Sequence, residues 1–333
     1  MSDNEYKIAL IGPTRVGKTS LVSSILADAH VALEGTPASL KAKGSTSARI
    51  SDNVDELAAA LAHGTFEPEA VRNSTSDVSY YELSLEVGKS KLPIRILDYP
   101  GGWLSEQGAE WKQCEKWINE SSVLILPIDA VLAMHCATLA EEKACRTRLK
   151  ITQVTAIVRE WAKKRKDANA PGILILTPVK CETYLVAPGA TRALADKLQR
   201  RLVDELYKDM FTAIAAEMKG SDLVSAYYTP VNTIGCVDLV DAGWEMAEDN
   251  ALESHPVFRV LPPGKRKVQG ALDVLILLAR QLSSAENSKD RNSLVNLWRY
   301  VTGESRELRV SIERLNNMKL SPRVQVVRLK EPV

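Results

Sequence analysis

The fold is decided by residues 7–20, which read KIALIGPTRVGKTS. The first part, KIALI, is a short apolar run that ends at a glycine and predicts a buried strand. The next residues, SLVSSILADA (20–29), carry apolar side chains at helical spacing and predict a helix. Between strand and helix stand two glycines, and the second is followed at once by Lys18 and Thr19. The sequence therefore predicts a strand–loop–helix unit with a lysine and a hydroxyl group at the start of the helix.

The loop has the spacing Gly-x-x-x-x-Gly-Lys-Thr, which is the pattern of a phosphate-binding P-loop. Glycines let backbone N–H groups curl around a phosphate, and the helix N-terminus adds a positive field. In this pattern Lys18 reaches the terminal phosphates and the Thr19 hydroxyl ligates Mg²⁺. The sequence thus predicts a nucleoside-phosphate site. Its predicted nucleotide-binding residues in the loop are Gly12, Thr14, Val16, Gly17, Lys18, Thr19 and Ser20.

The amino-acid composition and charge argue against some classes of function. The chain has 333 residues, of which 45% are hydrophobic and 26% charged, so it is long enough for one large domain or two. A formal net charge of +1 and an aromatic content of 5% argue against a nucleic-acid partner. The apolar runs are too short to span a bilayer, and the first residues show no secretory signal. Five scattered cysteines are typical of reduced thiols, so a cytoplasmic protein is expected.

Strands alternate with helices along most of the chain, which predicts the α/β class: a mostly parallel sheet with helices on both faces. Only residues 78–98 look like an antiparallel hairpin. We expect one domain over 1–285, with insertions at about 34–72 and 131–170, and a small C-terminal appendage over 286–333. Within these segments, the pattern predicts a loop at 34–50, a helix at 51–64 and one long helix at 190–220. Near the C-terminus, the pattern predicts a hairpin, or a helix followed by a strand, over residues 307–315 and 323–330.

A second motif, Asp98-x-x-Gly101, follows the predicted hairpin. It resembles the third motif of the translation-factor-related and Ras-like GTPases. That resemblance implies that Asp98 holds Mg²⁺ through water and that the Gly101 N–H contacts the γ-phosphate. The same class has a switch threonine before the hairpin, and Thr75 in NSTSDVSYY (73–81) is the candidate for metal binding and catalysis. A plain Ser/Thr loop is the alternative for this segment.

Base recognition departs from that class. Where the family has Asn/Thr-Lys-x-Asp, this chain has Val179-Lys180-Cys181-Glu182. The resemblance implies that the Lys180 stem covers the base and that Glu182 takes the place of the aspartate that binds guanine. Asn232, in Pro-Val-Asn-Thr, is similar to a weak form of the fifth family motif. We therefore predict a degenerate guanine site that includes these three residues, Lys180, Glu182 and Asn232.

Catalysis departs as well, because Gly102 stands where the Ras-like class has the glutamine that orients water. Arg15 is similar to an arginine that the guanylate-binding proteins carry at this P-loop position and bring onto the phosphates when two nucleotide domains meet. This implies a catalytic set of Lys18, Arg15 and Thr75 and a nucleotide-dependent homodimer. The alternative for Arg15 is a solvent-facing loop residue.

The segment DYPGGW (98–103) resembles the YcjX-like P-loop proteins and the double-GTPase proteins of bacterial conflict systems. The resemblance implies a bacterial cytosolic GTPase that binds Mg·GTP, hydrolyses it to GDP and signals to a protein partner. The predicted switch loops lie at about 65–77 and 98–112. Two alternatives stay open: a pseudo-GTPase scaffold without turnover, and an ATP-preferring P-loop NTPase.

Overall fold

The structure, a computed structural model, describes residues 5–68, 78–99, 109–247, 251–284, 296–299, 303 and 306–329. Its strands are β1 (Tyr6–Leu10), β2 (Ala38–Ala42), β3 (Thr65–Phe66), β4 (Ser79–Val87), β5 (Ser90–Asp98), β6 (Val123–Asp129), β7 (Gly172–Val179), β8 (Val224–Tyr228), β9 (Val237–Met246), β10 (Leu252–Val260) and β11 (Gln325–Val327). Its helices are α1 (Lys18–Ala32), α2 (Ser45–Leu61), α3 (Ala109–Glu120), α4 (Ala130–Met134), α5 (Leu139–Arg148), α6 (Ile151–Asp167), α7 (Glu182–Leu185), α8 (Arg192–Arg200), α9 (Lys208–Glu217), α10 (Ala271–Ser284) and α11 (Arg306–Asn316). A π-helical segment, Arg201–Leu206, joins α8 to α9.

The main sheet has the strand order β11-β8-β7-β6-β1-β5-β4-β2. Its central strands, β8, β7, β6, β1 and β5, pair in parallel. The remaining strands, β4, β2 and β11, pair antiparallel to their neighbours. The predicted α/β class with a mostly parallel sheet is confirmed, and so is the hairpin, which β4 and β5 form.

Helices cover both faces of this sheet because its central strands are apolar on both sides. Ile8 and Leu10 of β1 pack in one core with side chains of α1, α10 and α11. Ala9 of β1 packs in the other core with side chains of α3, α6 and α9. The alternation of strand side chains explains why one apolar run serves two cores.

Two elements of the C-terminal segment, α11 and β11, contact the rest of this domain. β11 adds to the edge of β8, with Val327 opposite Ala226. Residues 306–316 form a helix, which excludes the hairpin alternative, and Leu308 and Ile312 of that helix are buried in the core of α1 and α10. The segment predicted as an appendage is thus tied to the main sheet by hydrogen bonds and to its core by apolar contacts.

Three other segments differ from their predictions. Residues 34–50 were expected to be a loop, but they contain β2 and the start of α2. The predicted helix at 190–220 is divided by the π-helical segment. Strands β9 and β10, which were not predicted, pair antiparallel, and β10 pairs with β3 in a small antiparallel sheet. Their pattern is obscured because β10 contains a proline and much of β9 is exposed. No helix of the described residues is long and apolar enough to cross a membrane.

The packing of α6 on β7 can be tested at Gly172, the first residue of β7. A Cβ added to Gly172 would lie 2.7 Å from Cζ2 and 2.9 Å from Cη2 of the fully buried Trp161. Trp161 is held in place by its indole N–H, which donates to the Ser121 carbonyl at 2.8 Å. We expect Gly172→Ala to lower the free energy of unfolding by about 1–3 kcal/mol, as overpacking a core does. Urea denaturation measures it.

Gly189 provides the matched control. An added Cβ there meets no atom within 4 Å, and its backbone is not left-handed. Gly189→Ala should therefore change the free energy of unfolding by less than about 0.5 kcal/mol. Equal stabilities of the two variants would contradict the described packing of α6 on β7.

Candidate functional site

The loop between β1 and α1 passes close to β6. A Cβ on Gly12 would lie 3.2 Å from the Pro127 carbonyl oxygen, so the close approach depends on glycine. Gly17, with φ of 100°, turns the chain into the first residue of α1. Arg15 is also left-handed, with φ of 62°, and its side chain is exposed. The loop thus combines a tight approach to the sheet with an outward arginine.

Lys18 is buried at the start of α1, with 6% of its side chain exposed. Its Nζ donates to the carbonyls of Gly12 and Pro13 at 3.3 Å each and lies 3.7 Å from Oδ1 of Asp98. Burial lowers the pKa of Lys18, and the nearby Asp98 carboxylate opposes that shift. The loop, the helix and the end of β5 therefore meet around one lysine.

Asp98 is fully buried and is also bound by an arginine that sequence reasoning missed. Arg49 of α2 donates from Nη2 to Oδ2 of Asp98 at 2.9 Å and from Nη1 to Oγ of Ser79 at 3.0 Å. Its guanidinium also stacks 4.3 Å above the ring of Tyr81. No local pattern could have found Arg49, because its role comes from the packing of α2 against the hairpin.

Thr19 lies beside this cluster. Its Oγ1 shares a hydrogen bond of 2.8 Å with the hydroxyl of Tyr81 on β4. Burial raises the pKa of Tyr81, and the carboxylate of Asp98 adds to the shift. Two of the three predicted metal ligands, Thr19 and Asp98, are therefore brought to the same corner of the structure.

Glu182 begins α7, just after β7, and is fully buried. Its Oε1 accepts hydrogen bonds from the backbone N–H groups of Ile234 at 3.0 Å and Gly235 at 3.1 Å. Its Oε2 has no hydrogen-bond partner among the described residues. Burial raises the pKa of Glu182, and the two backbone hydrogen bonds oppose that rise. One oxygen is thus fixed by the protein, and the other is left to accept a donor.

One cavity of about 90 Å³, here called the loop cavity, joins these two regions. Its polar walls come from residues 14–20 of the loop and from Lys180 and Glu182. Its apolar walls come from α2 and the small sheet. They are formed by Leu57, Phe66, Val237 and Phe258. The small sheet therefore closes one side of the loop cavity.

Most predicted nucleotide-binding residues line this cavity. They are Thr14, Val16, Gly17, Lys18, Thr19, Ser20, Lys180 and Glu182, and Arg15 joins them. Lys180 also forms an ion pair with Asp129. Asn232 is not among them: it is buried, its Oδ1 accepts from Sγ of Cys181 at 3.1 Å, and Thr233 and Ile234 line the cavity instead. Thr75 and Gly101 lie outside the described residues.

No protein-family model matches the chain, and a search of curated proteins finds no match. Among the described residues, no group of three or more His, Cys, Asp and Glu side chains is arranged to hold a metal ion. The functional argument therefore rests on the chemistry and the positions of the residues around the loop cavity.

The raised pKa of Glu182 predicts a pH effect. A carboxyl whose pKa is raised by folding contributes stability below its ordinary value of 4.5 and loses that contribution as the pH rises through the folded value. Glu182→Gln keeps an oxygen for the two backbone N–H groups but does not ionise. We expect the unfolding free energy of the wild type, relative to Glu182→Gln, to fall as the pH is raised above the ordinary carboxyl value of 4.5.

The measurement is urea denaturation of both proteins below and above that pH. Glu115→Gln, an exposed position on α3, is the matched control and should follow the wild type at each pH. A constant difference between wild type and Glu182→Gln would show that the buried carboxyl does not titrate differently on folding.

Proposed function

We propose that the protein binds Mg·GTP in the loop cavity and hydrolyses it to GDP. The observation that carries the proposal is that the P-loop and the carboxylate of Glu182 line the same cavity. One end offers backbone N–H groups and a lysine, which suit phosphates. The other end offers an acceptor oxygen, which suits the N–H groups of a base.

At the phosphate end, the support comes from the lysine and the start of α1. Lys18 lies against two loop carbonyls and near Asp98, so its positive charge is held at the mouth of the loop. The helix N-terminus adds to the positive field there. A triphosphate bound in this loop exchanges the weak carbonyl contacts of Lys18 for stronger contacts with phosphate oxygens.

Magnesium fits the residues at this end. The Thr19 hydroxyl and the Asp98 carboxylate are hard oxygen donors of the kind Mg²⁺ prefers. Thr19 is hydrogen-bonded to Tyr81, and its neighbour in the chain, Lys18, lies 3.7 Å from Asp98. Because Mg²⁺ in such sites is bound by one or two protein oxygens and by phosphates, no larger ligand cluster is required. When bound, the ion neutralises phosphate charge.

At the base end, the proposal is supported by Oε2 of Glu182, the oxygen without a hydrogen-bond partner among the described residues. Guanine presents two adjacent N–H donors on one edge, whereas adenine presents a single amino group there. A carboxylate oxygen without a partner accepts such donors at a favourable free energy, since it is otherwise buried and unpaired. The apolar side chains of Phe66 and Phe258 form a surface against which a flat base can pack.

The loop cavity must become larger before a nucleotide can enter it. Small-molecule sites have volumes of about 300–1,000 Å³, whereas the loop cavity has about 90 Å³. The proposal therefore includes an outward shift of α2 and the small sheet when the nucleotide enters. Such a shift is the signal that a protein partner would recognise. Most of the predicted switch loops, at about 65–77 and 98–112, lies outside the described residues. By resemblance, that partner belongs to a bacterial defence or stress system.

Two alternatives are supported by specific observations. The sequence has Gly102 where the Ras-like class has its glutamine, which favours a scaffold that binds nucleotide without turnover. Because Oε1 of Glu182 is engaged by backbone N–H groups, only one oxygen remains for the base, which favours weak discrimination and the use of ATP. In the GTPase proposal, Arg15 supplies charge to the phosphates when two copies of the chain meet.

The proposal is tested by titrating fluorescent GTP and ATP analogues onto the full chain with Mg²⁺. We expect the GTP analogue to bind at least about tenfold tighter than the ATP analogue, a difference of about 1.4 kcal/mol. Lys18→Ala should weaken both by at least about tenfold, because it removes the cation that reaches the phosphates. Lys143→Ala, an exposed lysine on α5, is the matched control and should bind as the wild type does.

Phosphate release at two protein concentrations then separates the alternatives. Release that rises with concentration in the wild type, and not in Arg15→Ala, supports a GTPase completed by a second copy. Tight binding without release supports the scaffold. Equal or tighter binding of the ATP analogue rejects guanine recognition by Glu182, and the absence of binding rejects the whole proposal.

Arg49 gives a separate prediction for magnesium. Its guanidinium lies 2.9 Å from Oδ2 of Asp98, so its positive charge repels a cation near that carboxylate. We expect Arg49→Gln to lower the Mg²⁺ concentration for half-maximal GTP-analogue binding by at least about threefold. Arg192→Gln, with a side chain 95% exposed on α8, is the control. If both variants shift the Mg²⁺ midpoint equally, the charge of Arg49 does not act on the metal.

A further inference from the structure

Arg266 lies in the segment between β10 and α10, which packs behind one wall of the loop cavity. That wall includes residues 232–236, here called the base segment, which follow β8 and contain Ile234 of the cavity lining. The backbone of the base segment is paired with that of residues 261–269. The Lys267 N–H, for example, donates to the Ile234 carbonyl at 2.8 Å. The segment that carries Arg266 therefore forms a second layer behind the base segment.

The two layers approach each other so closely that glycine is required between them. A Cβ added to Gly235, whose φ is 77°, would lie 1.8 Å from the Lys267 carbonyl oxygen. Asn232 and Gln269 exchange backbone hydrogen bonds of 2.9 and 3.1 Å. Because the contact is this close, a shift of the segment that carries Arg266 displaces the base segment as well.

Arg266 joins this pair of segments to α1. Its Nε donates to the Thr233 carbonyl at 2.8 Å. Its Nη2 donates to the hydroxyls of Ser23 and Ser24 at 2.8 Å each, and the Ser20 carbonyl lies 3.4 Å away. A guanidinium carries several N–H groups in one rigid plane, so a single side chain can hold two segments at a fixed separation.

The two serine hydroxyls are oriented to accept from this guanidinium. The hydroxyls of Ser23 and Ser24 donate their own protons to the Ser20 carbonyl, at 3.0 and 2.7 Å. A hydroxyl whose proton is used in this way presents its lone pairs to a further N–H donor. Ser20 itself lines the loop cavity beside Thr19. The contacts of Arg266 therefore reach the start of α1, at the phosphate end of the cavity.

On the other side, Arg266 and Glu182 hold the same peptide group. The Thr233 carbonyl accepts from Arg266, and the Ile234 N–H donates to Oε1 of Glu182 at 3.0 Å. This carbonyl and this N–H belong to one planar peptide unit, in which they point in opposite directions. The guanidinium on one side and the carboxylate on the other therefore fix the orientation of that unit.

The hydrogen-bond partners of Arg266 are uncharged oxygens of carbonyls and hydroxyls. Burial lowers the pKa of Arg266, and the carboxylate of Asp28 opposes that shift. A cation held in this way adds less to stability than its number of hydrogen bonds suggests, because its desolvation offsets much of the gain. The arrangement thus favours a role in orienting the two segments.

We propose that Arg266 is a positioning residue that fixes the separation between the phosphate end and the base end of the loop cavity. The cavity thereby selects a ligand that spans both ends, a nucleoside triphosphate, over a triphosphate or a nucleoside alone. A spanning ligand gains affinity only when the two ends are held at its own spacing. The inference rests on the proposed nucleotide site, in which α2 and the small sheet move while Arg266 keeps the base segment in register with α1.

The first test compares Arg266→Met with the wild type. Methionine has a similar length and no N–H donor, so it separates the base segment from α1. The probes, each with Mg²⁺ and the full chain, are a fluorescent GTP analogue, inorganic tripolyphosphate and guanosine. We expect Arg266→Met to bind the GTP analogue at least about tenfold more weakly. Binding of the two fragments should change by less than about threefold, because each contacts one end only.

Arg280→Met is the matched control. Arg280, on α10, also donates to two carbonyls, those of Asn316 at 3.3 Å and Met318 at 3.2 Å. It does not line the loop cavity. Arg280→Met loses comparable hydrogen bonds, so a general loss of stability affects both variants. It should bind all three probes as the wild type does.

A second measurement needs no nucleotide. Hydrogen exchange of the free protein, followed by mass spectrometry on peptides that cover 232–236, reports the opening of the base segment. The N–H groups of Ile234 and Gly235 should exchange faster in Arg266→Met than in the wild type, and Arg280→Met should match the wild type. Unchanged exchange in Arg266→Met would show that the guanidinium does not hold this segment.

The outcomes distinguish the inference from the proposed function. If the wild type binds the GTP analogue and Arg266→Met binds it equally well, the inference is overturned and the nucleotide site stands. Equal weakening of the GTP analogue and tripolyphosphate also overturns it, since the phosphate end itself is then damaged. No binding by the wild type rejects the nucleotide site and the inference with it. If Arg266→Met does not fold, the double variant Ser23→Ala, Ser24→Ala removes the acceptors on α1 and should show the same selective loss.

Discussion

The interaction on which the rest of the site depends is the burial of Asp98 between two cations. The carboxylate is fully buried, and unpaired burial of that charge would cost several kcal/mol. Lys18 approaches from the start of α1 and Arg49 from α2, and their side-chain nitrogens lie 3.7 and 2.9 Å from the carboxylate oxygens. Because the two cations come from separate segments, neutralising one carboxylate draws the loop, the hairpin and α2 to the same place.

A second buried carboxylate, that of Glu182, plays a similar part where the small sheet joins the rest of the domain. Glu182 holds two backbone N–H groups of the segment after β8, and that segment leads into β9. The small sheet is thereby fixed over the main sheet, where Phe66 and Phe258 pack against α2. The loop cavity is therefore bordered by Lys18 and by the carboxylate of Glu182, with apolar packing along its side.

Two cavities give the loop between β1 and α1 two different environments. Toward α1 it faces a narrow cavity that contains Lys18, Thr19 and the orphan oxygen of Glu182. Toward α5 it faces a second cavity, of about 540 Å³, that α5 and β10 also line. Arg15 lines both, since its left-handed backbone places it at the outer edge of the loop.

The sequence by itself determined the class of fold, the hairpin and the position of the glycine-containing loop between β1 and α1, because these depend on local patterns: continuous apolar runs, glycine spacing and a turn between two strands. It also brought attention to Lys180 and Glu182, which stand in a short motif after a strand. It did not reveal Arg49, the pairing of β9 with β10, the place of the C-terminal segment in the main sheet or the inward orientation of Asn232. Only the tertiary structure decided these, since each depends on contacts between residues far apart in the chain: Arg49 meets Asp98 across the hairpin, β11 pairs with β8, and Asn232 accepts a hydrogen bond from Cys181. A pattern within one segment cannot report which distant segment neutralises its charges or covers its apolar side chains.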